Sequence, residues 1–207
     1  VDVSEAQGGH HVEHRHVPAW VPWICLAAIA ATYINIGAYW TYIELASADA
    51  ALDADWVGSV LVGASFMSIV GCLVATVISN RYGLIRPLLV TLVTHATVVG
   101  MLAWGMTNTN IAVSVFAFNF LWIFIDVYQM STVANVDHSG RFASLMPAAQ
   151  GLGQILGPNI AAGMLASHLG YNAVFIMCAG ASLTAMLLYA GLYFRLRRVL
   201  PALADAA

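Results

Sequence analysis

The chain has 207 residues, of which 61% are hydrophobic and only 8% are charged, and its formal net charge at pH 7 is −3. Soluble domains carry about 25% charged and 45–50% apolar residues, so a water-facing surface made from this chain would expose large apolar patches. The composition excludes a soluble fold and predicts an all-α membrane protein whose first partner is the lipid bilayer, with no nucleic-acid partner.

The polar N-terminal segment does not predict a metal centre. Its histidines have a spacing compatible with weak metal binding, but a solvated segment explains them better: His10, His11, His14 and His16. The cysteines all lie inside apolar runs and indicate neither a disulfide framework nor a metal cluster: Cys25, Cys72 and Cys178. No cofactor and no metal are therefore expected.

Six apolar stretches follow, each long enough for the ~20 residues that a transmembrane helix needs. In chain order they predict helices over about 19–45, 56–79, 87–106, 111–136, 142–166 and 173–194. The connections are short and polar, so consecutive helices are expected to run antiparallel. The predicted organisation is a polar cytoplasmic tail (1–18), a six-helix transmembrane bundle (19–198) and a short cytoplasmic tail (199–207).

The distribution of charges predicts the orientation of this bundle. Six crossings put both termini on one side, and every basic residue falls on that side: Arg15, Arg81, Arg86, Arg141, Arg195, Arg197 and Arg198. The first connection, on the other side, carries Asp49, Asp53 and Asp55. Because arginine concentrates in cytoplasmic loops, both termini are expected in the cytoplasm of a multi-pass protein of a bacterial inner or plasma membrane.

The first helix carries a polar stripe that includes Thr32, Asn35, Tyr39 and Tyr42, with Trp40 beside it. An interfacial aromatic belt explains Tyr42. It explains Asn35 and Tyr39 poorly, because these two residues lie deeper in the helix. Asn35 and Tyr39 therefore need an explanation other than the membrane interface.

The connection after the second helix combines Arg81, Gly83 and Arg86. Gly83 is free to take a positive φ in a tight turn, and the two guanidinium groups can hold the ends of neighbouring helices. A basic loop that only sets the topology is the alternative explanation.

The fourth helix contains Asp126 near its middle, where a charged carboxylate costs at least ~2.5–3.5 kcal/mol. Asn119, Trp122, Asp126 and Gln129 are spaced three, four and three apart, so they share one helical face. An acid beside an aromatic ring and two amides suits a site that couples to protons or recognises a cation. A protonated aspartate bonded within the bundle is the alternative. His95, on the third helix, is better explained by packing.

The fifth helix contains Gly153, Gly157 and Pro158. Glycines four apart form a groove in which a neighbouring backbone can approach closely, and the proline removes one helical hydrogen bond. The three residues predict a surface that flexes against its neighbour, with static packing as the alternative. Gln150 and Asn159 are further candidates to line a cavity.

Taken together, these patterns resemble one six-helix half of a major facilitator superfamily transporter. Residues 77–86 (VISNRYGLIR) resemble the later part of the family's G-x-x-x-D-R-x-G-R-R loop, with Asn80 in place of the acid and Gly71 too far upstream. Residues 153–162 (GQILGPNIAA) resemble the fifth-helix pattern G-x-x-x-G-P-x-x-G-G, and residues 137–141 (DHSGR) its preceding basic loop. The degenerate loop motif and arginine-rich tail favour the C-terminal half, whereas the helix-five pattern is better known from N-terminal halves.

The resemblance implies a secondary transporter of small solutes that works with a second six-helix half or a second copy of itself. Asp126 would be its proton-coupling or substrate-binding acid, and Asn35 and Tyr39 would contact the solute from the first helix. A non-transporting assembly or regulatory partner is the alternative. An intramembrane enzyme fits less well, because residues 63–66 (GASF) lack the glycine after the serine that a rhomboid-like protease needs. Only His95 among the histidines lies at membrane depth, so paired haem ligands are lacking too. No catalytic residue is therefore expected.

Overall fold

A computed structural model describes residues 17–78 and 81–199, and all regular secondary structure in these ranges is helical. The helices are α1 (Trp20–Asp49), α2 (Ala54–Ile78), α3 (Ile85–Trp104), α4 (Asn108–Val136), α5 (Arg141–Ala166) and α6 (Tyr171–Val199). Their number and order agree with the prediction. The predicted tails, with the four N-terminal histidines and Arg15, lie outside the described residues except for 17–18 and 199, and so does Asn80.

Five of the helices are long and apolar enough to cross a membrane: α1, α2, α3, α4 and α6. Helices of 20–30 residues extend roughly 30–45 Å at 1.5 Å per residue, enough for a hydrocarbon core of about 30 Å. Five such helices identify an integral membrane protein. The remaining helix, α5, has the length, but its glycines, prolines and amide side chains lower its apolarity.

Two of the predicted helix ends are wrong in the same direction. The first helix continues past 45 to Asp49 through an alanine-rich stretch, and the chain turns just after it at Ala51, where φ is 59°. The last helix continues past 194, so that Arg195, Arg197 and Arg198 lie within it and not after it. Arginine is a good helix former, and cations are stabilising near a helix C-terminus.

The helices pack in a pattern with internal two-fold character. Helix α1 packs mainly against α5 and α6, α4 packs mainly against α2 and α3, and α3 packs against α6. Exchanging α1–α3 with α4–α6 leaves this set of partners unchanged. Since each repeat has three helices and consecutive helices alternate in direction, the two repeats run in opposite directions, as in inverted-repeat membrane folds.

Glycines allow the closest helix contacts of both repeats. A Cβ added at Gly153 would meet the backbone oxygen of Ala30, and one added at Gly157 would meet that of Ile34, both on α1. In the other repeat, a Cβ at Gly71 of α2 would meet the backbone oxygen of Phe120 on α4. Backbones that approach this closely leave no room for a larger side chain.

Candidate functional site

Asp126 lies on α4, roughly 15 Å from the helix end at Val136 and ~27 Å from the other end. Its Oδ1 accepts two hydrogen bonds, from the Tyr33 hydroxyl on α1 at 2.9 Å and from Gln150 Nε2 on α5 at 3.2 Å. Within residues 17–78 and 81–199, Oδ2 accepts no hydrogen bond. The carboxylate is thus oriented through one oxygen, and the other is available to a ligand or a proton.

Two indoles extend the site beyond the carboxylate. Trp122 Nε1 donates to the Tyr33 hydroxyl at 3.5 Å, and the same hydroxyl donates to Asp126. The Trp122 ring lies 6.1 Å from that of Trp40, with 54° between the planes. Both indoles are half-buried, so the neighbouring helices enclose neither completely.

The four residues predicted to share one face of α4 have different burial and different partners. Trp122 and Asp126 are half-buried at the site, whereas Asn119 and Gln129 are buried. Asn119 accepts from Ser68 Oγ on α2 at 3.3 Å, and Gln129 donates to Thr32 Oγ1 on α1 at 2.9 Å. Ten residues turn a helix about 80° short of three full turns, which is enough to direct the two amides to different neighbours.

The predicted candidates of α1 lie in the core and not beside Asp126. Asn35 and Tyr39 are fully buried. Asn35 Nδ2 lies 3.4 Å from His95 Nδ1, and the Tyr39 hydroxyl lies 3.0 Å from Ser114 Oγ. Neighbouring helices surround α1, and Asn35 and Tyr39 lie about 200° and 240° around the helix from Tyr33, on another of its buried faces.

Tyr33 is the site residue that the sequence reasoning missed. It is 5% exposed and makes the shortest hydrogen bond to Asp126. A phenol well inside an apolar helix requires a partner for its hydroxyl, and that requirement was the available signal. The sequence pattern could not identify the partner, because Asp126 lies 93 residues further along the chain.

The fifth helix contributes to the site at one position. Gln150 donates to Asp126, whereas Asn159 is exposed and donates back to the Ile155 carbonyl at 2.6 Å. Gly157 and Pro158 lie about two turns further along α5, and the Pro158 carbonyl accepts from the Tyr42 hydroxyl at 3.4 Å. The glycine contact and the carboxylate site therefore share the α1–α5 interface.

Of the three predicted loop residues, Arg81 and Gly83 lie in the connection between α2 and α3, and Arg86 lies just after it. Gly83 has a φ of 72°, the left-handed conformation that favours glycine. Arg86 lies in the first turn of α3, and its Nη2 donates to the Tyr193 hydroxyl on α6 at 3.0 Å. Arg81 is exposed. Arg86 thus joins α3 to α6, while Arg81 makes no such bridge that the structure describes.

The connection between α4 and α5 is a capping turn. Asp137 Oδ2 accepts from the Ala143 amide at 2.8 Å, and Oδ1 accepts from the Ser139 amide and hydroxyl at 3.1 and 3.0 Å. Gly140 turns the chain with a φ of 72°. A carboxylate bonded to free amides at a helix N-terminus stabilises the start of α5.

Comparisons with models of protein families, with curated proteins and with solved structures find no match to this chain. Within the described residues, no group of three or more histidine, cysteine or acidic side chains is arranged to hold a metal ion.

Proposed function

We propose that this chain forms a six-helix half-bundle of a secondary transporter, resembling one half of a major facilitator superfamily carrier, with Asp126 as the acid that binds a proton or a cation. The main support is the Asp126 carboxylate, which is hydrogen-bonded through one oxygen while the other is open to a ligand. A carboxylate at membrane depth is costly and marks a functional site by default. Here Tyr33 and Gln150 hold one of its oxygens, and the other has no donor among the described residues.

The location of Asp126 links the site to an interface, between α1 and α5, along which a helix could move. Asp126 receives its two donors from α1 and α5, which are also the helices in contact at Gly153 and Gly157. Any displacement of α5 along α1 changes the distance between the carboxylate and Gln150. Such a site would change its ligand affinity as the bundle changes shape, and alternating access needs this coupling.

The two-fold packing pattern supports the same function. Inverted-repeat transporters place the substrate and coupling-ion site near mid-membrane, where the repeats meet. Tyr33 and Asp126 lie on the first helices of the two repeats, α1 and α4, and are joined by one hydrogen bond. Their pairing thus occurs where this kind of transporter locates its site.

The proposal includes six crossings, with both termini in the cytoplasm of a bacterial inner membrane. Helix α5 crosses because the part of it that faces the bundle has partners there: Gln150 bonds to Asp126, and Gly153 and Gly157 pack against α1. All seven arginines then lie on one side, as the positive-inside rule requires. A second six-helix half, or a second copy, supplies the opposite wall of the solute pathway.

The test is reconstitution of the purified chain in liposomes containing a pH-sensitive dye, with a pH gradient imposed and solutes added in turn. We expect solute-dependent proton flux in the wild type and its loss in Asp126→Asn. The matched control is Asp55→Asn, the same change at an exposed residue in the first turn of α2. Absence of flux from folded protein would mean that the chain is a non-transporting partner or requires a different second half, and flux that survives in Asp126→Asn would exclude this acid.

A further inference from the structure

We propose that the solute held at Asp126 is an organic cation, an amine or quaternary ammonium group enclosed by the carboxylate and by the indoles of Trp122 and Trp40. This inference rests on the proposed function and specifies the class of its substrate. It starts from where the tryptophans lie.

The chain has six tryptophans, and four of them lie at helix ends: Trp20 and Trp23 at the start of α1, Trp56 at the start of α2 and Trp104 at the end of α3. Helix ends are the ordinary place for tryptophan in a membrane protein, because the indole is stable at the water interface. Trp122 lies at the middle of α4, and Trp40 lies well inside α1. The interfacial belt explains neither of these two.

Both deep indoles have a cost that phenylalanine would avoid. Trp40 Nε1 is buried without a hydrogen-bond partner among the described residues, and Trp122 Nε1 makes only a long bond to Tyr33. A buried unpaired donor is destabilising. What indole offers in return is the most negative ring face of any side chain, and so the strongest attraction for a cation.

The acid lies close to these rings. Trp122 bonds to the hydroxyl of Tyr33, and that hydroxyl bonds to Asp126, so the indole nitrogen lies within two hydrogen-bond lengths of the carboxylate. The ring of Trp40 continues the aromatic surface 6.1 Å away at 54°. Carboxylate and aromatic faces together recognise alkylammonium groups.

Other solute classes fit the site less well. An anion would meet Asp126, and no arginine or lysine lies between residues 87 and 140 to offset its charge. A sugar needs several accessible hydrogen-bonding groups, whereas Asn119 and Gln129 are buried and bonded to neighbouring helices. A sodium ion prefers several oxygen ligands, whereas this site offers one open carboxylate oxygen and ring faces.

The experiment measures binding of benzyltrimethylammonium to the full chain in nanodiscs of zwitterionic lipid, by calorimetry against empty nanodiscs. We expect Asp126→Asn to weaken binding at least ~30-fold. We expect Trp122→Leu to weaken it about 3- to 30-fold, and Trp122→Phe, which keeps a ring, to weaken it less. The matched control is Trp104→Leu, at a residue that is 87% exposed at the end of α3, and its binding constant should equal the wild type's. Circular dichroism establishes that each variant is folded.

Each result bears on one of the two proposals. Proton flux that depends on Asp126, without benzyltrimethylammonium binding, overturns the organic-cation inference and leaves the transporter proposal intact. Binding that requires Asp126 and Trp122, without flux, supports the cation site and rejects transport by this chain alone. Equal binding of benzenesulfonate, or binding that responds to Asp126→Asn but not to any change at Trp122 or Trp40, also overturns the inference.

Discussion

At the residue scale, Tyr33 is the link between the acid and the aromatic rings. Its hydroxyl donates to Asp126 and accepts from Trp122, so it orients the carboxylate and the indole together. Gln150 is the second donor to the same carboxylate oxygen. The two donors are side chains of different helices, so a single substitution removes one hydrogen bond and leaves the other.

Removal of the Tyr33 hydroxyl tests this link. A hydrogen bond to a charged group contributes about 1.5–3 kcal/mol, so we expect Tyr33→Phe to reduce benzyltrimethylammonium affinity and initial proton flux by roughly tenfold or more. The control is Tyr42→Phe, which removes only a 3.4 Å bond to the Pro158 carbonyl and should change both by less than about threefold. Equal effects of the two substitutions would contradict the role given to Tyr33.

A second prediction at the residue scale concerns Asp137, in the loop before α5. Burial alone would raise the pKa of Asp137, but hydrogen bonds from the Ala143 amide and from Ser139 outweigh it and hold the pKa below its usual range. A carboxyl group with a lowered folded-state pKa contributes stability above its unfolded pKa of about 3.9 and loses it as pH falls through the folded-state value.

We therefore expect the wild type to lose stability on acidification below about pH 4, and Asp137→Asn to lose less over the same range. At neutral pH the substitution should cost about 0.5–1 kcal/mol, as expected for a solvent-exposed helix cap. Thermal unfolding in detergent between pH 3 and 7 measures both effects. Parallel pH curves for the two proteins would show that the cap does not titrate as described.

At the element scale, the interface between α1 and α5 determines how the site can move. Gly153 and Gly157 leave no room for a side chain, whereas a Cβ at Gly151 would meet nothing within 4 Å. The glycine spacing predicted this groove from the sequence alone. Its partner on α1, the backbone at Ala30 and Ile34, could not be predicted, because those residues have no distinctive pattern.

Alanine substitutions separate packing glycines from the rest of α5. We expect Gly157→Ala to destabilise the bundle by about 1–3 kcal/mol through overpacking, and to slow flux because the helices can no longer slide. Gly151→Ala should be neutral or stabilising by up to about 1 kcal/mol, since alanine is the better helix former. Unfolding by SDS in mixed micelles gives the comparison. A Gly157→Ala variant as stable as Gly151→Ala would place the helices further apart than the structure does.

The helices themselves follow from the sequence more directly than the site does. Long apolar stretches bounded by short polar connections determine the number and order of the helices, because the bilayer permits few alternatives. Which neighbouring helix Asn119 and Gln129 contact depends on the rotation of each helix about its own axis within the bundle. That rotation is a tertiary property, and for the same reason Asn35 and Tyr39 lie in the core and not at the site.

At the scale of the whole molecule, the open oxygen of Asp126 implies that a second bundle covers this face of the chain. A single bundle would leave this carboxylate facing lipid, at a cost of at least ~2.5–3.5 kcal/mol. Pairing with a second bundle would convert the same face into a polar pathway. The apolar surface of α2, with Phe66, Ile69, Leu73 and Val77 exposed, is available to a partner.

Cys72 permits a direct test of pairing. It is exposed on α2, whereas Cys25 and Cys178 are buried, so a nitroxide label reacts selectively there without mutation. We expect dipolar spectroscopy on the labelled chain in nanodiscs to give a defined distance between two labels, because a second copy completes the pathway. The distribution should shift when benzyltrimethylammonium binds, and should not shift in Asp126→Asn. A spectrum without dipolar coupling would show that single copies are present, and the missing wall would then have to come from a different chain.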